Sequence, residues 1–343
     1  MTDLARKHVA GRPLEPMLPL SKRPFRWSSL RDLLLLPAVV AVLIVGYFID
    51  HKFLSGANLI NVLTTMSAIS LIVLAEVFVL IVGKMDLSLE STFGVAPGIA
   101  IWACLGTADV GGFGWAAEWM VIPIALLAGV AIGLFNGLLI VKFGLNGFIV
   151  TLAMLTALRG LLTFLTGGQT LRKVPDAVTY LGGSNFLGIP VNVVIVIVLF
   201  AVSYFVLTYT RLGRALYAVG GNAGAAKAAG IRVDRLIWGV LILASALTAL
   251  GGLIYTGQFA SVQVSQGDGY IFQVFAACVI GGVALTGGRG SVVGAFLGIL
   301  LLILIQKLLS YAEVSADSIK FISGVLILLA LIITRLASGK RQE

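Results

Sequence analysis

Charge is what this sequence has least of. Of its 343 residues only 11% are Asp, Glu, Lys or Arg, while 59% are apolar; an ordinary soluble domain carries about 25% charged residues. So few charges cannot cover the surface of the two soluble domains that the length alone suggests, and the apolar content excludes a disordered or collagen-like chain. Two cysteines, Cys104 and Cys278, form no disulfide framework, and both fall in apolar runs where a small thiol packs. The two histidines, His8 and His51, sit in unrelated segments and build no metal site. No G-x-x-x-x-G-K-[ST] motif is present, because Gly287-Gly288-Arg289-Gly290-Ser291 lacks the phosphate-reaching lysine. Nor is there a Ser/His/Asp set or an H-E-x-x-H. The chain is expected to be no enzyme and to bind no cofactor itself.

What is present is a series of apolar runs near bilayer-crossing length, about 20 residues. They cover 33–49, 59–82, 91–106, 120–141, 147–166, 190–209, 237–256, 270–285, 292–310 and 319–335. The sequence therefore predicts an all-α polytopic membrane protein with about ten transmembrane helices. Residues 1–31 differ, with four of the nine prolines and seven basic residues; they read as a disordered basic tail able to lie on anionic lipid. The first apolar run has no A-x-A-like cleavage site, so no removable signal peptide is expected. With the N-terminus cytoplasmic, 18 basic residues fall inside and five outside, and Arg159 lies within a run. The positive-inside rule thus predicts two cytoplasmic termini and explains the +9 net charge without nucleic acid. The expected domains are the tail at 1–31, a membrane domain at 32–336 with a cytoplasmic loop at 210–236, and a cytoplasmic tail at 337–343.

Several residues do not belong in hydrocarbon. Glu76 lies inside a run, where a charge must be paired or wet; Arg159 has the same requirement, which makes the two candidate partners. Glu76-Val77-Phe78-Val79-Leu80-Ile81-Val82-Gly83-Lys84-Met85-Asp86-Leu87-Ser88-Leu89-Glu90-Ser91 admits two readings. It is a turn in which Asp86 or Ser88 caps a helix, or a helix broken inside the protein to line a solute path. Broken or re-entrant backbone is expected near 83–91 and 286–291. Asn136 and Thr151 suit either interhelical hydrogen bonding or the path, and Thr151, Thr156 and Arg159 share a helical face. Gly129, Gly133 and Gly137 recur every four residues, a pattern that lets helices approach closely. Residues 79–98 and 279–298 share Val79/Val279, Ser91/Ser291, Gly94/Gly294 and Gly98/Gly298. An internal repeat or chance among glycine-rich stretches accounts for it equally well.

In the 210–236 loop, Gly220-Gly221-Asn222 is a turn whose asparagine can cap a short alanine-rich helix, Ala223–Ala229, closed by Gly230. Two turns cannot cross a membrane and are marginal alone in water. Their small side chains form a smooth knob suited to another protein's groove.

Taken in order, Asp86-Leu87-Ser88, Asn136-Gly137, Phe148-Ile149-Val150-Thr151-Leu152, Arg159-Gly160, Gly220-Gly221-Asn222 with Ala225-Ala226 and Gly230-Ile231, and Gly287-Gly288-Arg289-Gly290-Ser291 resemble the membrane-spanning permeases of bacterial ribose/xylose-type ABC sugar importers. The resemblance covers about residues 35–335. It implies a permease subunit for a monosaccharide or similar polar molecule, in the bacterial inner membrane. It further implies a second permease copy, cytoplasmic ATPases that use ATP and Mg, and a periplasmic or lipid-anchored sugar-binding protein. Gly220, Gly221, Asn222, Ala225, Ala226 and Gly230 would form the ATPase-coupling helix; Glu76, Asp86, Ser88, Asn136, Thr151 and Arg159 would line or support the path. Where the family often has Gly-Gly-Ile-Asp-Leu-Ser-Val-Gly-Ser, this chain places Lys84 and Glu90 for glycines. It also has Ala223 and Ala229 for the common Glu and Ser. The alternative function is an ion- or proton-coupled secondary transporter built on Glu76, Asp86 or Arg159.

Overall fold

A computed structural model describes residues 35–105, 112, 114–315 and, beyond these, 317–319, 321–325, 328 and 332. The predicted tails at 1–31 and 337–343 and most of the last predicted span lie outside the described residues. The described residues are mostly helical and include a two-stranded hairpin, β1 (Asn185–Phe186) with β2 (Ile189–Pro190). The helices are α1 (Leu36–Ile49), α2 (Gly56–Ile81), α3 (Leu89–Cys104), α4 (Val121–Gly137), α5 (Gly147–Thr166), α6 (Asp176–Gly183) and α7 (Val191–Tyr209). They continue with α8 (Arg211–Gly221), α9 (Ala223–Ala228), α10 (Val233–Phe259), α11 (Tyr270–Ile280) and α12 (Val292–Tyr311). Six stretches are long and apolar enough to cross a membrane unaided: α2, 118–142 containing α4, α5, α7, α10 and α12. α1, α3 and α11 are apolar but shorter. The expected count of about ten full spans is therefore replaced, among the described residues, by six long helices and three short ones. The expected run at 270–285 shows why: α11 stops at Ile280, and its 11 residues reach only about 16 Å at 1.5 Å each.

Local chemistry sets the boundaries. Ser55 Oγ accepts from Asn58 N to start α2, Asn146 Oδ1 from Ile149 N to start α5, and Ser291 Oγ from Gly294 N to start α12. α5 ends at Gly167 in the left-handed region (φ 60°). α2 is the centre of the bundle, with 89% of its apolar window buried, whereas α5 is peripheral at 22%. α10 packs against α2, α3, α4 and α6. Its approach to α4 uses the four-residue glycine repeat: a Cβ on Gly133 would lie 2.6 Å from Leu241 O and Ile242 Cα, and one on Gly129 2.7 Å from Ser245 O. α2 and α10 run antiparallel, with Gly251 opposite Ala68 and Leu71, and Gln258 donating to Thr64 O and Ser67 Oγ.

The helix–break–helix pattern occurs twice, as α2–α3 and α11–α12, with Gly83 and Gly282 both at positive φ. The residue register differs, however. Ser291 caps α12, whereas Ser91 lies inside α3 and donates to Leu155 O.

Candidate functional site: a buried polar seam and a glycine junction

The break between α2 and α3 holds Asp86 in the protein interior, and both Asp86 and Ser88 are fully buried. Asp86 Oδ1 accepts from Ser88 N (3.0 Å) and from Ser88 Oγ, and Asn136 Nδ2 on α4 donates to Ser88 Oγ (2.8 Å). Asp86 therefore caps Ser88, while Ser88 occupies the cap position of α3 without a side-chain bond of its own into the helix. The break is thus a helix interrupted inside the protein, and Asn136 ties it to α4. Glu76, two turns back along α2 from Gly83, is also fully buried.

Glu76 Oε1 and Oε2, Asp86 Oδ2, Asn136 Oδ1, Ser245 Oγ and Thr248 Oγ1 are buried without a hydrogen-bond partner among the described residues. By the α2–α10 pairing above, Ser245 and Thr248 lie at the level of Glu76. Buried polar atoms are nearly always satisfied in native proteins, and in a bilayer an ionisable one marks a wet path or a partner. Together they form a polar seam through α2, α4 and α10. Since Oδ1 accepts both bonds and Oδ2 neither, Asp86→Asn should insert and fold like the parent. Asp86→Leu, which leaves the Ser88 N–H unpaired, should lose about 1–3 kcal/mol; thermal unfolding in detergent measures the difference.

Arg159 does not meet Glu76, contrary to the sequence expectation. Its Nη1 donates to Val264 O and Gln266 O (both 2.9 Å), and its Nη2 pairs with Asp268 (2.5 Å) and Glu90 (3.7 Å). Glu90 is the residue that stands where the resemblance expects glycine; its Oε2 also accepts from Ile271 N. Gln266 is buried and donates to Phe93 O, Gly252 O and Thr256 Oγ1. Segment 260–269 is thus irregular backbone turned into the bundle, which hydrocarbon tolerates only where protein or water satisfies it. Thr151 is buried, and its hydroxyl donates to Phe148 O in its own helix. Thr156 likewise donates to Leu152 O. Asn136 thus makes an interhelical hydrogen bond, whereas Thr151 bonds within its own helix.

The re-entrant 260–269 segment was not expected, nor were its side-chain anchors, Gln266 and Asp268, and the backbone bridge of Val262 to Leu171. The signal available was Ser265-Gln266-Gly267-Asp268-Gly269 placed before an apolar run too short to cross alone. Both glycines adopt positive φ (90° and 77°), and a Cβ on Gly267 would lie 2.6 Å from Glu90 O.

At the Gly83 end of the bundle, three chain segments meet through bare backbone. Gly288 N donates to Ile81 O (2.9 Å), Tyr217 Oη donates to Gly290 O, and Gly220 lies against both Ile81 O and Gly288 N. A Cβ on Gly287 would be 2.6 Å from Gly83 Cα, and one on Gly288 2.7 Å from Gly221 Cα. From this junction projects α9. Asn222 Oδ1 accepts from Ala225 N (2.9 Å), and Gly230 closes the turn at φ 83°, with Ile231 N donating to Ala226 O. Gly220 and Gly221 anchor the knob, Asn222 starts it, Ala226 is buried beneath it, and Ala225 is exposed.

Residues 58–331 match the permease family described as the branched-chain amino acid transport system permease component. The ribose import permease of Haemophilus influenzae is 31% identical over 299 residues, 86% of this chain and 90% of that protein. The L-arabinose ABC transporter permease of Azospirillum brasilense is 32% identical over 292 residues, 84% of this chain and 83% of that one. The autoinducer 2 import permease of Escherichia coli is 28% identical over 306 residues, 88% of this chain and 86% of that one. No solved structure matches the chain. Matches of this length to permease components make the chain a transport subunit. The helical, apolar chain with its interrupted helices and polar seam is a multi-pass membrane protein and belongs to this family of transport-system permeases.

Proposed function

We propose that the chain is the permease subunit of an ABC importer that carries a monosaccharide or a similar polyhydroxylated molecule across the bacterial inner membrane. The observation that carries the reading is the glycine junction: a capped two-turn helix, α9, stands on the same backbone contact that supports the α2–α3 break. The relatives supply the solute class, since two are named for pentoses.

In this reading α9 docks in a cytoplasmic ATPase, which binds ATP and Mg and hydrolyses the nucleotide. Both termini are cytoplasmic. The short helices α1, α3 and α11 complete crossings with the help of re-entrant backbone, and with the run at 319–335 the chain passes the membrane ten times. Two copies pair around the path, and a periplasmic or lipid-anchored binding protein delivers the sugar. The basic tail at 1–31 rests on anionic lipid. Closure of the ATPases moves α9, and the shared junction passes that movement to both helix breaks. Glu76, Asp86, Ser88 and Asn136 line the polar seam, while Arg159 supports it by holding the 260–269 segment. Thr151 serves packing. The unpartnered Glu76 carboxyl favours the alternative, an ion-coupled carrier, yet such a carrier has no use for a docking helix.

Cross-linking tests the docking: Ala225→Cys should join the ATPase in the assembled transporter, and Leu127→Cys, exposed on α4 far from the junction, should not. Cross-linking from neither position, or from Leu127 alone, contradicts it. Asn222→Ala should loosen α9 by about 1 kcal/mol and lower transport-coupled ATP hydrolysis while leaving insertion intact.

A further inference from the structure

A cavity of about 310 Å³ lies between α2, α10, α11 and α12, toward the bundle end opposite the glycine junction. Its lining includes Thr65, Tyr255, Gln258, Tyr270, Gln273 and Gln306. Hydroxyls and carboxamides in this number are out of place on a lipid-facing surface, because each would need a partner that hydrocarbon lacks. Gln258 finds one on α2, and Gln306 donates to Ser323 Oγ. The Gln273 carboxamide has no hydrogen-bond partner among the described residues. Beside these amides stands an aromatic cluster: Tyr255 has ring centroids 6.2 Å from Tyr270 and 4.5 Å from Phe259, and Phe93 backs both tyrosines.

Amides that can donate and accept, next to aromatic rings, match the two surfaces of a sugar. Its hydroxyls need hydrogen bonds in both directions, and its C–H faces pack on aromatic rings. Position along the helices sets the cavity on the same faces as the polar seam. Ile69, another lining residue, and Thr65 share a face of α2 with Glu76, at spacings of seven and eleven. Tyr255 shares a face of α10 with Thr248, seven residues away. A solute leaving the cavity along these faces would next meet the unpartnered Thr248 hydroxyl and Glu76 carboxyl.

We infer that this cavity is a transient station for a polyhydroxylated solute on its way to the seam, with Gln273 and Thr65 hydrogen-bonding hydroxyls and Tyr255 and Tyr270 packing against the ring. This inference rests on the sugar-importer reading above. It assigns the contacts to residues outside the motifs that identify the family resemblance.

The test uses proteoliposomes containing the complete transporter, with D-ribose and L-arabinose as probes. Wild-type accumulation of at least one of them under ATP establishes the underlying reading; its failure for both sugars removes that reading before any variant is compared. Given wild-type uptake, Gln273→Leu and Thr65→Val, both close in size to the parent, should each lower sugar carried per ATP hydrolysed by about tenfold. ATPase stimulation by the loaded binding protein should stay near the parent level. In a second measurement, the transported sugar should slow labelling of Gln273→Cys by a polar maleimide without affecting Leu127→Cys. Unchanged uptake per ATP in both variants, or labelling of Gln273→Cys indifferent to sugar, overturns the station. Spontaneous cross-linking of Gln273→Cys between two copies, without sugar protection, overturns it too and assigns the cavity to the subunit interface.

Discussion

Gly220→Val is expected to abolish transport while Gly221→Ala, one residue along, leaves it close to the parent level. A Cβ on Gly220 would overlap the Ile81 carbonyl oxygen and lie 2.5 Å from Gly288 N; one on Gly221 would meet nothing within 4 Å. The obstructing atoms at Gly220 are backbone on both sides, and no side-chain rotation can relieve them. Overpacking of this kind costs about 1–3 kcal/mol or more, and the cheapest response is for α8 and α9 to separate from the end of α2. That separation breaks the mechanical link between the docking knob and the α2–α3 break. Uptake and ATPase activity, measured together on the reconstituted complex, should therefore part company: hydrolysis persists or loses its stimulation while uptake falls to background. Parent-level uptake by Gly220→Val would show that the junction carries no motion.

Arg159→Met carries the second large effect. The guanidinium donates to two carbonyls of the 260–269 segment and pairs with Asp268 and Glu90, so its removal strips four contacts at once. Glu90 is 9% exposed and would remain as an unpaired carboxylate, whereas Asp268 is 59% exposed and can turn to solvent. Breaking a buried pair costs about 3–5 kcal/mol. The exposure of Asp268 places this site at the lower end. Arg159→Lys should recover less than half of the loss, because a single ammonium cannot donate to both carbonyls and still reach the acids. Glu90→Gln in the Arg159→Met background should recover part of it by removing the stranded charge. Thermal unfolding in detergent reads all three. Full stability in Arg159→Met would mean that Gln266 and the Leu171–Val262 backbone bridge hold the re-entrant segment without it.

Much of this was legible in the sequence. Apolar runs located the helices within a few residues, because a bilayer leaves helix as the only economical backbone for such a chain. The Asn222 cap and Gly230 closure follow from local hydrogen bonding and a left-handed turn, and both are written in adjacent residues. The α4–α10 approach was visible as Gly129, Gly133 and Gly137. What could not be read is everything set by long-range placement. Arg159 announces that it needs an acid, but Glu76, Asp86, Glu90 and Asp268 all qualify by composition, and only the fold selects the last two. The cavity was invisible for the same reason. Thr65, Tyr255 and Gln273 come from three helices, and none stands out within its own segment. α11 misled because its apolar run extends through Gly281 and Gly282, where the chain in fact leaves the helix at positive φ for Gly282.

The most direct test of the whole account is sugar uptake into proteoliposomes holding this chain with its ATPase and binding protein. ATP supplied on the ATPase side should drive accumulation, and a protonophore should leave the rate unchanged. Accumulation that needs an ion gradient and proceeds without the ATPase would contradict the account.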